Sequence, residues 1–252
     1  LNCLIVILMN YQNPLSLGNL IQFVDESVAI EMSYYRNNII HLFALVSLVS
    51  CLVLNNRRIK RETLIKQIRQ LYVFFQSELF IHWHEKDIPD VVERSLALLV
   101  KHGYLIANES EVWAPDSRAK EFMHLSILAS TTKQSLERFF IAVEILVKSG
   151  SGKLQRMQLE NACTMLAQRM SLLHEFSGPE FSDKALFRNF IQALVKNDVL
   201  NVNEEGNLTF GEALLRSHED AHSLLSEDTR QSIQQIAEMD LEKEFKEEEN
   251  TK

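Results

Sequence analysis

A chain of 252 residues with 46% hydrophobic content can bury one or two sizeable cores. Seven glycines and four prolines are too few for a turn-dense β fold, so long helices are expected. A net charge of −8 repels phosphate polymers, and Cys3, Cys51 and Cys163, odd in number, read as reduced thiols facing a cytosol, with no metal spacing linking them.

The chain opens on Leu1 rather than Met. The run Leu4 to Met9 is too short for a signal peptide and lacks its basic flank. It reads as a strand leading through Asn13-Pro14-Leu15-Ser16-Leu17-Gly18 into a second strand, Leu20 to Phe23. A hairpin with nothing before it fits a cropped chain, so residues 1–25 are expected to be the remnant of a preceding unit.

A helix follows from Asp25 to Asn56. Asp25 or Ser27 suits its N-cap, and Asn55-Asn56 its C-cap. Its apolar core, Ile39 to Leu54, has sixteen residues. At ~1.5 Å per residue it spans about 24 Å, short of the ~30 Å hydrocarbon slab. Burial in protein is therefore expected; the alternative is membrane contact, which Tyr34 and Tyr35 before it and Arg57-Arg58-Ile59-Lys60-Arg61 after it would also suit.

Beyond it the sequence repeats at an offset of 95 residues. Arg61, Leu64 and Leu71 fall on Arg156, Leu159 and Leu166, Leu99-Val100-Lys101 on Leu194-Val195-Lys196, and Leu105 on Leu200. Each copy reads helix, helix, hairpin. The apolar spacing of Leu64, Ile68, Leu71, Phe75 and Leu79 marks a first helix, and Pro89 to His102 and Asp183 to Asn197 are the second helices. The hairpins join Tyr104–Ala107 to Glu111–Ala114 and Val199–Val202 to Asn207–Phe210. A long helix leads each unit: Met32 to Leu54, then Arg118 to Lys148. The expected fold is mainly α with small β-hairpins, built as two tandem winged-helix-like units at 26–116 and 117–237, with an acidic tail at 238–252. The pattern raises nucleic-acid binding, but the wings, Asn108-Glu109-Ser110-Glu111 and Asn203-Glu204-Glu205-Gly206-Asn207, are acidic where a phosphate backbone needs cations. Packing is the better reading, and no nucleic-acid partner is expected.

The search for chemistry returns lookalikes. Gly150-Ser151-Gly152-Lys153 lacks the earlier glycine of a phosphate loop, Val147 standing in its place. His82 and His84, two apart, point to different sides of a helix and make a poor metal pair. His82 and Asp87 have the spacing of an acyltransferase base and its orienting carboxylate. The repeat places Ser177 and Ser182 at those positions, inside a connector, so a tolerant surface loop is preferred and no catalytic residue, cofactor or metal ligand is assigned.

Met32-Ser33-Tyr34-Tyr35-Arg36-Asn37-Asn38-Ile39-Ile40-His41-Leu42-Phe43, the apolar helix, Arg61-Glu62-Thr63-Leu64-Ile65 and Glu78-Leu79-Phe80 together resemble the C-terminal region of bacterial membrane-bound sn-glycerol-3-phosphate 1-O-acyltransferases. The resemblance runs from Asn13-Pro14-Leu15 to about Ala237. It implies an enzyme that moves an acyl group from acyl-coenzyme A or acyl carrier protein to glycerol 3-phosphate at the cytoplasmic face of the inner membrane. The family's histidine-aspartate motif and glycerol-phosphate blocks lie N-terminal to anything matched here. The chain alone is thus expected to be inactive, its partner being the catalytic domain, with Ile39–Leu54 a second contact at the membrane surface and the acyl donor met only through the whole enzyme. The alternative expectation is a soluble winged-helix module that binds another protein.

Overall fold

The computed structural model describes residues 26–78, 81, 83–174, 181–221 and 225–237. The N-terminal hairpin, the caps at Asp25, the positions of Leu79, His82 and Ser177, and the acidic tail lie outside those residues. What is described is mostly helical, with two small antiparallel sheets.

Helix α1 (Glu26–Asn56) carries the apolar run. Its window Ile39–Asn56 is long and apolar enough to cross a membrane by length and composition, yet half of it is buried inside the protein. Ala44, Leu45, Leu48, Val49, Leu52 and Val53 are core residues, each such side chain contributing roughly 1.5–3 kcal/mol where it is large. The Asn56 side-chain amide donates to the Leu52 carbonyl at 2.8 Å, and Arg57, at φ 61°, turns the chain out of the helix.

The basic segment after it is more than a solvated exit. Arg58–Lys60 forms strand β1, and Ile59 between its two cations is buried opposite Val112. Helix α2 (Arg61–Glu78) buries Leu64, Ile68, Leu71, Tyr72 and Phe75 at the expected spacing. After a short 3-10 turn (Glu85–Asp87), helix α3 (Ile88–Lys101) starts with Pro89 in its first turn, where a missing amide proton is harmless. Strands β2 (Ile106–Ala107) and β3 (Glu111–Trp113) complete a sheet of order β1-β3-β2.

The long helix expected from Arg118 to Lys148 is two helices, α4 (Lys120–Ser130) and α5 (Lys133–Ser149). Hydroxyls explain the break. Ser130 and Thr131 turn back to the Ile127 carbonyl, and the Thr132 amide donates to Ser47 of α1 at 3.1 Å. Helices α6 (Arg156–His174) and α7 (Lys184–Lys196) and strands β4 (Leu200–Val202) and β5 (Leu208–Phe210) follow. Asp183 caps α7 by accepting from the Ala185 amide at 2.8 Å. Two further helices, α8 (Glu212–Ala221) and α9 (227–237), were not anticipated from the sequence.

Helix α1 lies against α3 and α4, while α5 is enclosed by α2, α6, α7 and α8. Every residue from Ser135 to Leu146 of α5 is buried. Phe139 joins the two halves, 5.4 Å from Phe75 of α2 and 6.0 Å edge-on to Phe190 of α7.

Backbone details recur at the 95-residue offset. Tyr104 bonds back to Leu99 as Val199 does to Leu194, and Gly103 to Val100 as Asp198 does to Val195. Gly103 and Asp198 both have positive φ, 73° and 55°. Asn108 and Asn203 each fold their hairpin by accepting two backbone amides on the side-chain oxygen. The ion pairs differ: Arg61 of α2 meets Glu93 of α3 at 2.6 Å, whereas Glu160 of α6 holds both Arg156 at 3.5 Å and Arg188 of α7 at 3.2 Å.

Candidate functional site

The loop that carries the acyltransferase-like spacing is fixed from α2. The Tyr72 hydroxyl donates to the carbonyls of Ile81 and Trp83, on either side of His82, and Arg94 of α3 stacks over Trp83 at 5.7 Å. Asp87 ends the 3-10 turn at the N-cap of α3, partly exposed, and its carboxylate caps no helix amide. His82 is outside the described residues, so the structure places Asp87 alone of the pair. His84 is exposed on the turn's approach.

The phosphate-loop lookalike is a junction. Gly150, at φ 91°, caps α5, the Gly152 amide donates to the Leu208 carbonyl at 2.9 Å, and the Ser151 hydroxyl accepts from the Phe210 amide at 3.0 Å. Its polar groups are turned toward strand β5, leaving no cradle of amides for an anion. The acidic hairpin tips are exposed, and Arg58 is already paired with Glu111 at 2.5 Å.

Buried polar groups gather where α1 meets the break between α4 and α5. The Ser47 hydroxyl lies 2.7 Å from that of Thr132 and 3.2 Å from the Ala129 carbonyl, which also accepts from the Cys51 thiol at 3.0 Å. Burial pushes the Cys51 thiol up to about 12, and burial raises Cys163 as well, so neither is a thiolate nucleophile at neutral pH. Glu137, one turn into α5, is fully buried with neither carboxylate oxygen hydrogen-bonded. Burial raises it to about 7, only partly opposed by Lys133, 3.6 Å away. At the far end of α5, Glu144 meets His218 of α8 at 2.6 Å and Lys148 at 3.3 Å. Burial pushes that carboxyl up, but the hydrogen bond from His218 and the charges of His218 and Lys148 outweigh it and hold it below the usual range. Lys148 in turn donates to the Gln234 carbonyl of α9 at 2.9 Å. Sequence reading missed both sites, because an Asp or Glu inside an apolar helical pattern reads as a solvated position until its surroundings are known.

The Ser47–Thr132–Ala129–Cys51 cluster and the Glu144–His218–Lys148 group tie helices together. In the sequence comparison, residues 10–203 match the family described as the glycerol-3-phosphate acyltransferase C-terminal region. The chain belongs to that family. Among its relatives is the glycerol-3-phosphate acyltransferase of Pseudomonas putida (strain GB-1), 40% identical over 224 residues, which are 88% of this chain and 27% of the relative. That of Pseudomonas entomophila (strain L48) is 41% identical over 221 residues, 86% of this chain and 26% of the relative. That of Pseudomonas fluorescens (strain SBW25) is 37% identical over 223 residues, 88% and 26%. The chain spans about a quarter of the length of these relatives. The family match begins before α1 and ends just past β4, so it takes in the first helix-helix-hairpin segment and the second up to the first strand of its hairpin.

Proposed function

We propose that this chain is the non-catalytic C-terminal part of a glycerol-3-phosphate acyltransferase, which packs on and completes the catalytic part. The whole enzyme carries an acyl group from acyl-coenzyme A or acyl carrier protein to the 1-hydroxyl of glycerol 3-phosphate at the cytoplasmic face of a bacterial inner membrane. The observation that carries this is the family match over residues 10–203, in a chain that covers only 27% of a relative bearing the enzyme's name. His82 and Asp87 then have no part in the chemistry.

The same reading divides the chain into winged-helix-like units at 26–116 and 117–237, supported by the recurrence of capping bonds at a 95-residue offset. It also gives α1 two roles along its length. Ala44 to Val53 belongs to the core, and the earlier turn bearing the exposed Leu42 faces lipid.

A chimera tests the reading. In the P. putida enzyme the matched quarter is replaced by this chain, and transfer of labelled acyl-coenzyme A to glycerol 3-phosphate is followed in membranes. The chimera is expected to be active, the chain alone inactive, and His82→Ala in the chimera without effect. Acyl transfer by the chain alone, lost with His82→Ala, would overturn the proposal.

A further inference from the structure

Helix α6 buries Leu159, Cys163, Leu166, Ala167 and Met170. On its opposite side Met157, Asn161, Met165, Gln168 and Leu172 follow one another at steps of four, four, three and four, which aligns them within one stripe about 22 Å long. The three apolar members are 66%, 49% and 84% exposed. Single exposed apolar residues are ordinary, but three in line on one helix are not.

The repeat supplies an internal control. Ninety-five residues earlier, α2 has Glu62 at the place of Met157, Lys66 at that of Asn161 and a half-buried Gln70 at that of Met165. The buried faces of the two helices correspond residue for residue, while at the positions of the stripe Glu62, Gln70 and Ser77 give way to Met157, Met165 and Leu172, and Val73 to Gln168. A purely solvated face has no use for that change.

We infer that the Met157–Met165–Leu172 stripe of α6 is the surface on which the N-terminal, catalytic part of the acyltransferase docks. The inference rests on the functional reading above. One observation selects this occupant. The relatives carry about three quarters of their length outside the part this chain matches, and the matched part is by description C-terminal, so a large polypeptide has to pack against it. The apolar side chains alternate with the neutral amides of Asn161 and Gln168, and Lys184 of α7 donates to Asn161 at 2.5 Å. Methionine, leucine and amides suit a protein interface, and the cations at the edge, Lys184 and Arg169, make an anionic lipid surface the competing occupant that the crosslink has to exclude.

The test uses the same chimera with a protease site at the junction and a photoreactive benzoylphenylalanine in place of Leu172. Illumination followed by cleavage is expected to leave the N-terminal part covalently joined to this chain on a denaturing gel. Crosslinks to lipid or to a second copy of the chain, or free fragments alone, would overturn the docking. The crosslink is read whether or not the chimera transfers acyl groups, so an inactive chimera that still crosslinks defeats the functional reading and not the surface. In an active chimera the pair Met165→Glu with Leu172→Glu is expected to lower activity at least tenfold while the melting temperature of the isolated chain stays unchanged. Unchanged activity would count against the stripe.

Discussion

Glu137 ties the protein's stability to pH. Its folded carboxyl titrates near 7, above the 4.5 of the unfolded chain, so between those values the native state holds a proton that the unfolded state has released. The stability it contributes is therefore complete below pH 4.5 and lost as pH rises to about 7, amounting to at most ~3 kcal/mol. Urea unfolding of Glu137→Gln is expected to remove that decline, leaving the variant more stable than wild type at pH 8 and close to it at pH 4.5. Glu144 has the opposite sign. Its carboxyl is depressed, so its contribution is lost only as pH falls below 4.5, the two carboxylates of one helix acting in separate windows. Backbone strain gives a second residue-scale prediction. Asp198 stands in the left-handed conformation that Gly103 adopts at the equivalent turn, so Asp198→Gly should stabilise by about 1 kcal/mol and Gly103→Ala destabilise by about 1–2 kcal/mol in the same assay. A Cβ on Gly103 would meet Glu121 at an ordinary 3.6 Å, so the cost there is conformational.

Among the elements, α1 separates burial from exposure most sharply. Leu52→Ala should cost about 2–5 kcal/mol, since Leu52 is fully enclosed. Leu42→Asp should change stability by less than about 0.5 kcal/mol, because Leu42 is 66% exposed, and should reduce flotation of the chimera with anionic vesicles if that turn meets lipid. Much of this level was legible in the sequence. The second helix of each unit ends on Lys101 and Lys196, 95 residues apart as the repeat requires, and α2 buries its residues at the spacing of three and four. Strand β1 was not legible, because Arg58-Ile59-Lys60 is too short to show alternation and only its pairing with β3 identifies it. Nor was the break after Ser130. Ser-Thr-Thr is tolerated inside helices, and what breaks the helix is a hydroxyl 85 residues earlier in the chain.

For the molecule as a whole, the family and the helical architecture could be read from the Tyr34 to Asn38 block and the repeat, and the comparison upholds the acyltransferase resemblance rather than the free-standing interaction module. The functional surface could not be read in advance. A stripe of Met157, Met165 and Leu172 looks in sequence like any other apolar face, and only the exposure of that side with the opposite side already filled sets it apart. The chimera thus serves at this scale as both activity test and docking test.

The inverted ion pairs have a consequence for the history of the repeat. In the first unit the carboxylate, Glu93, sits on the second helix; in the second it is Glu160, on the first helix. A gene exchange between the copies that joined α6 to α3 would set Glu160 against Glu93, and one that joined α2 to α7 would set Arg61 against Arg188 with Ile65 where a carboxylate is needed. Glu160 is buried, but Glu93, Arg61 and Arg188 reach solvent and Arg156 stands where Arg61 does, so such hybrids lose a charge match at a modest cost. The two copies have thus drifted apart at this contact, and each second helix carries the charge suited to its own first helix.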